Sequence, residues 1–133
     1  MTNYHLTARD IMQTEIATIL PELTVQDAAA LMRHHGVRSL IVEKEAADDA
    51  YGLITFADIV SKVLAHGFDP AEMRVDEIMT KPLIVVNASL KVELIARLFA
   101  QHRIGHAPVI ENHALIGVVS MTDLVTEVIN EPA

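Results

Sequence analysis

Gly52-Leu53-Ile54-Thr55-Phe56-Ala57-Asp58 and Gly117-Val118-Val119-Ser120-Met121-Thr122-Asp123 are the two stretches that decide how this chain reads. Each is a glycine, two apolar residues, a hydroxyl residue, two residues of any type and an aspartate. The apolar pair reads as the end of a strand. A hydroxyl followed three residues later by an acid is the pattern that opens a helix. One strand-to-helix junction is therefore written twice.

Working outward, the likeness continues. Ile11-Met12 recurs as Ile78-Met79, Leu23 meets Leu90, Val25 meets Val92, Ala29 meets Ala96, His35 meets His102 and Val42 meets Val109. Met12 and Met79 are 67 residues apart, whereas Asp58 and Asp123 are 65 apart, so the second copy is two residues shorter. The difference falls in Glu43–Ala50, a polar loop where length changes are tolerated. A shared register over several elements argues for an internal repeat rather than chance similarity of two aliphatic halves.

Each copy predicts the same elements. Ile16–Ile19 and Leu83–Val86 are short β-branched strand candidates. Next come helical periods, with Val25, Ala28, Ala29 and Met32 on one face and Val92, Ile95, Ala96 and Phe99 on its counterpart. Thr24 and Asp27 form a capping box; Lys91 replaces Thr24 in the second copy, where Asn87 or Ser89 is the alternative cap. Two strands follow, Ser39–Glu43 and Ala50–Thr55, matched by His106–Ile110 and Ala114–Ser120. A closing helix ends each copy, with Ile59, Val60, Val63 and Leu64, then Leu124, Val125, Val128 and Ile129, as its apolar face. The expected fold is α/β (α+β): two β-α-β-β-α repeats, residues 7–66 and 75–130, joined by a linker at 67–74 that holds Pro70. A unit of about 60 residues is marginal alone. The two are expected to pack face to face with pseudo-two-fold symmetry and to leave ligand-sized clefts between them.

Composition bounds the function. Of the 133 residues 51% are apolar and only 4% aromatic, so the core is aliphatic. The net charge of −8, with scattered Lys and Arg, argues against nucleic acid as the partner. Cysteine is absent, which excludes disulfides and zinc-thiolate sites. With no signal-like N-terminus and no apolar run of bilayer length, the expectation is a cytoplasmic protein with no membrane partner.

The duplicated Gly-x-x-(Ser/Thr)-x-x-Asp pattern, the Ile-Met starts and Ala107-Pro108-Val109 together resemble the CBS domain family, and the tandem copies resemble a Bateman module. The resemblance covers nearly the whole chain. It implies an adenosine-containing ligand: AMP, ADP, ATP or S-adenosylmethionine. By the same resemblance Asp58 and Asp123 accept hydrogen bonds from the ribose hydroxyls, and Thr55 and Ser120 contact phosphate. The chemistry agrees, since a carboxylate is acceptor-only and a ribose diol offers two adjacent donors. Ile54 and Val119, with Leu53 and Val118, are candidates to line adenine. The alternative, that the two aspartates only cap helices, stays open.

Arg38, Ser39 and His106 are further candidates for the phosphate side. Ile41 departs from the pattern, because Pro108 holds its place in the second copy. Thr14, Thr80 and Lys81 follow the Ile-Met starts, where the resemblance implies an approach to ligand from the strand edge. The seven histidines show no metal-ligand spacing: His102 and His106 straddle a helix end and Gly105. No catalytic constellation is visible, and neither a catalytic residue nor a metal ligand is assigned. The expected function is a non-enzymatic regulatory sensor, with no required cofactor, acting on an effector protein in trans and pairing as a homodimer. The alternative is a ligand-silent dimerisation or docking scaffold.

Overall fold

A computed structural model describes residues 2–129. The second repeat's expected end at residue 130 lies outside the described residues. The elements run α1 (Ala8–Ile11), β1 (Thr18–Ile19), α2 (Val25–His35), β2 (Ser39–Val42), β3 (Gly52–Thr55), α3 (Phe56–Lys62), a 3-10 turn (Leu64–His66), α4 (Val75–Ile78), β4 (Val86–Asn87), α5 (Val92–His102), β5 (His106–Glu111), β6 (Ala114–Ser120) and α6 (Met121–Val128). The two mixed sheets have the same order, β1-β2-β3 and β4-β5-β6. In each, the first pair is parallel and the second antiparallel.

The chain forms two compact units that do not follow chain order. One is Ile16–Leu83; the other joins the described residues of Met1–Glu15 to those of Ile84–Ala133. Each repeat is thus completed by the segment that precedes the other. Backbone bonds hold the exchange: Val25 N–H donates to Met73 O (2.8 Å) and Val75 N–H to Leu23 O (2.8 Å). In the other unit Ala8 N–H donates to Leu90 O (2.9 Å) and Val92 N–H to Leu6 O (3.0 Å). The short helices supply core. Val75 and Ile78 are buried with Ile19, Met32, Leu40 and Ile54, and Ala8 and Ile11 with Val86, Ile95, Phe99 and Val119. Burial of such aliphatic side chains is the main favourable term in folding.

Local chemistry accounts for the element ends. The Thr24 hydroxyl accepts from Asp27 N–H (3.1 Å) and Asp27 accepts from Thr24 N–H (3.0 Å), the expected box. At α5 the N-cap is Lys91, with no side-chain cap bond; Asn87 instead turns the chain by accepting from Ser89 N–H and Oγ. Gly36, at φ 66°, ends α2 in the left-handed conformation; Arg103, at φ 53°, does the same for α5 without glycine's freedom.

Three expectations need correction. The first strands are shorter, Thr18–Ile19 within the expected Ile16–Ile19 and Val86–Asn87 reaching one residue past the expected end, because only these residues find a parallel partner. The strand expected from Ala50 starts at Gly52. In the closing helices Ile59, Val63 and Val128 are buried, but Val60, Leu64, Val125 and Ile129 are each more than half exposed. Adjacent apolar residues point about 100° apart on a helix, so one face cannot take all four.

Candidate functional site

The two junctions hold the same geometry. β3 runs into α3 at Thr55, and β6 into α6 at Ser120. Asp58 Oδ2 accepts from Thr55 N–H (3.0 Å) and from Thr55 Oγ1–H (3.1 Å), while Asp58 N–H donates back to Thr55 Oγ1 (3.1 Å). Asp123 Oδ2 accepts from Ser120 N–H (2.8 Å) and Oγ–H (2.9 Å), and Asp123 N–H donates to Ser120 Oγ (3.2 Å). Each hydroxyl's single proton is therefore spent inside the cap. A phosphate reaches it only by opening that box.

The second carboxylate oxygen differs between the copies. Asp58 Oδ1 lies 3.2 Å from Lys62 Nζ, one turn along α3; Lys62 also donates to Ile78 O (2.8 Å). Asp123 Oδ1 accepts from Gln13 Nε2 (3.0 Å). Asp123 is only 6% exposed, the one charged residue among the buried described side chains. In both copies this second oxygen is held by the tip of a long side chain, and an ionised oxygen keeps further lone-pair capacity.

The exchanged segments supply the strand edge. Leu53 and Thr80 trade backbone bonds (both 2.9 Å), so Thr80 and Lys81 lie beside the Asp58 junction. Val118 and Gln13 do the same (3.0 and 2.9 Å), so Thr14, next to Gln13, lies beside Asp123. The glycines of the motif are explained by this approach. A Cβ on Gly117 would stand 2.5 Å from Met12 Sδ, and one on Gly52 2.9 Å from Met79 Sδ. The Ile-Met starts and the motif glycines are thus two halves of one contact.

The remaining candidates sort by position. Ser39 pairs with Thr55 and His106 with Ser120. Arg38 is exposed, and its carbonyl accepts from Phe56 N–H (3.1 Å); the matching carbonyl, on Gly105, accepts from Met121 N–H (2.9 Å). Burial pushes the His106 imidazole below its usual pKa, only partly opposed by the negative charge of Asp123. Lys81 binds Asp49 (2.7 Å), which holds the Asp49 carboxyl down at about 2. Ile54 and Val119 are corrected: both are completely buried within the two cores, and the alternation of a strand turns Leu53 and Val118 to the other face. An adenine ring cannot reach the two core side chains.

Three participants were missed. Lys62, four residues after Asp58, was legible from helical i,i+4 spacing. Gln13 and Asp49 had no such signal, because their partners lie 110 and 32 residues away. Among the described residues no group of three His, Asp or Glu side chains could hold a metal ion. No helix there is long and apolar enough to cross a membrane.

Comparisons with known proteins agree with this architecture. The CBS domain family model matches residues 8–65 and 75–130. The CBS domain-containing protein YhcV of Bacillus subtilis is 34% identical over 94% of this chain and 88% of its own length. Among solved structures, a hexameric CBS-CP12 protein from bloom-forming cyanobacteria is 50% identical, with a TM-score of 0.85 over 90% of this chain and 66% of that one. Hypoxic Response Protein I, solved with two coordinated zinc ions, is 32% identical with a TM-score of 0.73, over 90% of this chain and 96% of that one. The CBS domain of a bacterial CNNM/CorC family Mg2+ transporter, solved in complex with ATP, shares the fold at 23% identity and a TM-score of 0.78, over 94% of this chain and 88% of that one. This chain therefore belongs to the CBS domain family and carries two CBS domains in tandem.

Proposed function

We propose that the protein is a regulatory module without catalytic activity that binds an adenosine-containing ligand at Asp58, at Asp123 or at both. AMP, ADP, ATP and S-adenosylmethionine are the ligands to test. The observation that carries the reading is the division of labour within each motif carboxylate. One oxygen is committed to the helix cap; the other faces only a displaceable amide or ammonium group. A ribose diol supplies two donors that can join or replace that partner. Occupancy then changes the shape offered to an effector protein in trans, by as much as the ligand's affinity differs between shapes. We place this activity in the cytoplasm.

Calorimetric titration of the four ligands tests the reading. Heat with at least one of them, lost in Asp58→Asn or Asp123→Asn, is the expected result. Asparagine keeps an acceptor for the cap, so folding survives the change. Absence of heat with all four ends the proposal.

A specific observation also favours pairing of two copies. Phe56, Val60 and Leu64 on and after α3, and Met121, Val125 and Ile129 on and after α6, are 47 to 56% exposed at matching positions of the two repeats. Spaced four apart, they form apolar stripes, the kind of surface that seeks a partner. Beside the α6 stripe an apolar groove of about 450 Å³, lined by Tyr4, Ala96, Ala100, Leu124 and Val125, runs between α5 and α6. A homodimer that covers these stripes should revert to monomer in Val60→Asp/Val125→Asp by light scattering. A wild-type protein that is monomeric at high concentration removes this reading.

A further inference from the structure

The two junctions differ in charge at matched positions. The backbone contacts fix the matches. Arg38 and Gly105 each accept from the first N–H of the closing helix, and Lys62 and Glu127 each stand one turn beyond the motif aspartate. Lys81 and Thr14 each follow the residue that pairs with the motif strand. Around Asp58 the three positions carry three cations, of which Lys62 is paired with Asp58 and Lys81 with Asp49; around Asp123 the matching positions carry no cation and one negative charge. Among the described residues Arg38 has no ion-pair partner within 4.0 Å. His106 adds no cation to the Asp123 side near neutral pH, because burial keeps it in the neutral form.

We infer that the two CBS domains are selective for differently charged forms of the same nucleoside: the Asp58 junction takes an adenosine ligand bearing phosphate, and the Asp123 junction an adenosyl ligand without phosphate. The inference rests on the ligand-binding reading above and adds the class taken by each site. Its basis is electrostatic. Both motif aspartates repel phosphate. At the Asp58 junction Lys62 offsets the carboxylate's charge and Arg38 is a cation without an ion-pair partner among the described residues, whereas the Asp123 junction has neither at the matching positions. At Asp123 a buried carboxylate held by the neutral Gln13 amide suits a neutral or cationic adenosyl group. Glu127 strengthens that preference.

Gly105 makes the difference testable in the direction of gain. A Cβ built there meets only Met121 Cε, at 3.9 Å, so an arginine side chain has room to leave the backbone. The probes are ATP, S-adenosylmethionine and adenosine, titrated calorimetrically. ATP heat is expected to vanish in Asp58→Asn and to persist in Asp123→Asn, with the reverse for S-adenosylmethionine and adenosine. Arg38→Gly/Lys81→Thr should weaken ATP about tenfold, the size two exposed charge interactions supply, and leave S-adenosylmethionine unchanged. Gly105→Arg/Glu127→Lys, placed in the Asp58→Asn background, should restore ATP binding at the second junction. Raised salt should weaken ATP and leave uncharged adenosine unchanged. If each aspartate variant loses ATP and adenosine to the same degree, the charge inference is overturned while the ligand-binding reading stands. If none of the three probes gives heat with the wild-type protein, the charge inference falls, and the ligand-binding reading falls with it only when AMP and ADP also give none.

Discussion

Substituting Gly117 by alanine tests the contact that joins each exchanged segment to its motif strand. The added Cβ would lie 2.5 Å from Met12 Sδ, 2.9 Å from Met12 Cγ and 3.0 Å from the Gln13 carbonyl oxygen. The thioether can swing away, since methionine has three rotatable bonds. The carbonyl cannot, because it accepts from Val118 N–H at 3.0 Å, and Gln13 N–H donates to Val118 O at 2.9 Å. Overpacking of this kind costs about 1 to 3 kcal/mol, and loosening that bond pair adds about 1 kcal/mol. Alanine returns about 0.4 to 1 kcal/mol by restricting the unfolded chain. The net loss is about 2 kcal/mol. Gly52→Ala is the internal control. Its Cβ would meet Met79 Sδ at 2.9 Å but the Thr80 carbonyl and Val42 Cβ only at 3.3 Å, so mainly a flexible tip must move and the loss should be about 0.5 kcal/mol. Urea unfolding followed by circular dichroism measures both, and a cycle with Met12→Ala isolates the contact. Shortening Met12 should relieve most of the Gly117→Ala penalty. A Gly117→Ala protein as stable as Gly52→Ala, or one that does not couple to Met12, refutes the account.

Other outcomes follow from single contacts. Asp123→Ala should destabilise more than Asp58→Ala, by about 1 kcal/mol or more, because it removes a buried carboxylate and leaves Gln13 and the part-buried Ser120 cap without an acceptor, whereas Asp58 is more accessible; equal melting points would contradict this. Arg103→Gly should stabilise by about 1 kcal/mol, since φ 53° suits glycine and not a side chain; thermal denaturation reads the gain, and a loss would mean the Arg103 side chain does more than cap. His106 has a folded-state pKa below its unfolded value, so its neutral form is favoured by folding. The stability tied to it is fully present above the unfolded pKa of about 6.5 and is lost as pH falls through the lower folded value. A His106→Gln protein should therefore lose less stability than wild type between neutral pH and about pH 5; parallel curves would show that His106 does not titrate with unfolding.

Much of this protein was legible in its residues. The duplication, both motifs, the Thr24 and Thr55 caps and the β-α-β-β-α order of each repeat follow from patterns of two, three and four residues, which express local backbone chemistry; the short helices Ala8–Ile11 and Val75–Ile78 that precede the first strands were not read there. Helical i,i+4 spacing also carried Lys62 beside Asp58. What the residues could not announce is which part of the chain finishes which unit. Ile11-Met12 and Ile78-Met79 look like the openings of their own repeats, yet each fills the core beside the other repeat's motif. The same exchange decides that Gln13 caps Asp123 and that Lys81, drawn to Asp49, lies by Asp58. Local preferences set each element through neighbours in sequence. The choice between two equivalent hydrophobic partners is made by long-range packing and backbone pairing, which one-dimensional spacing does not encode.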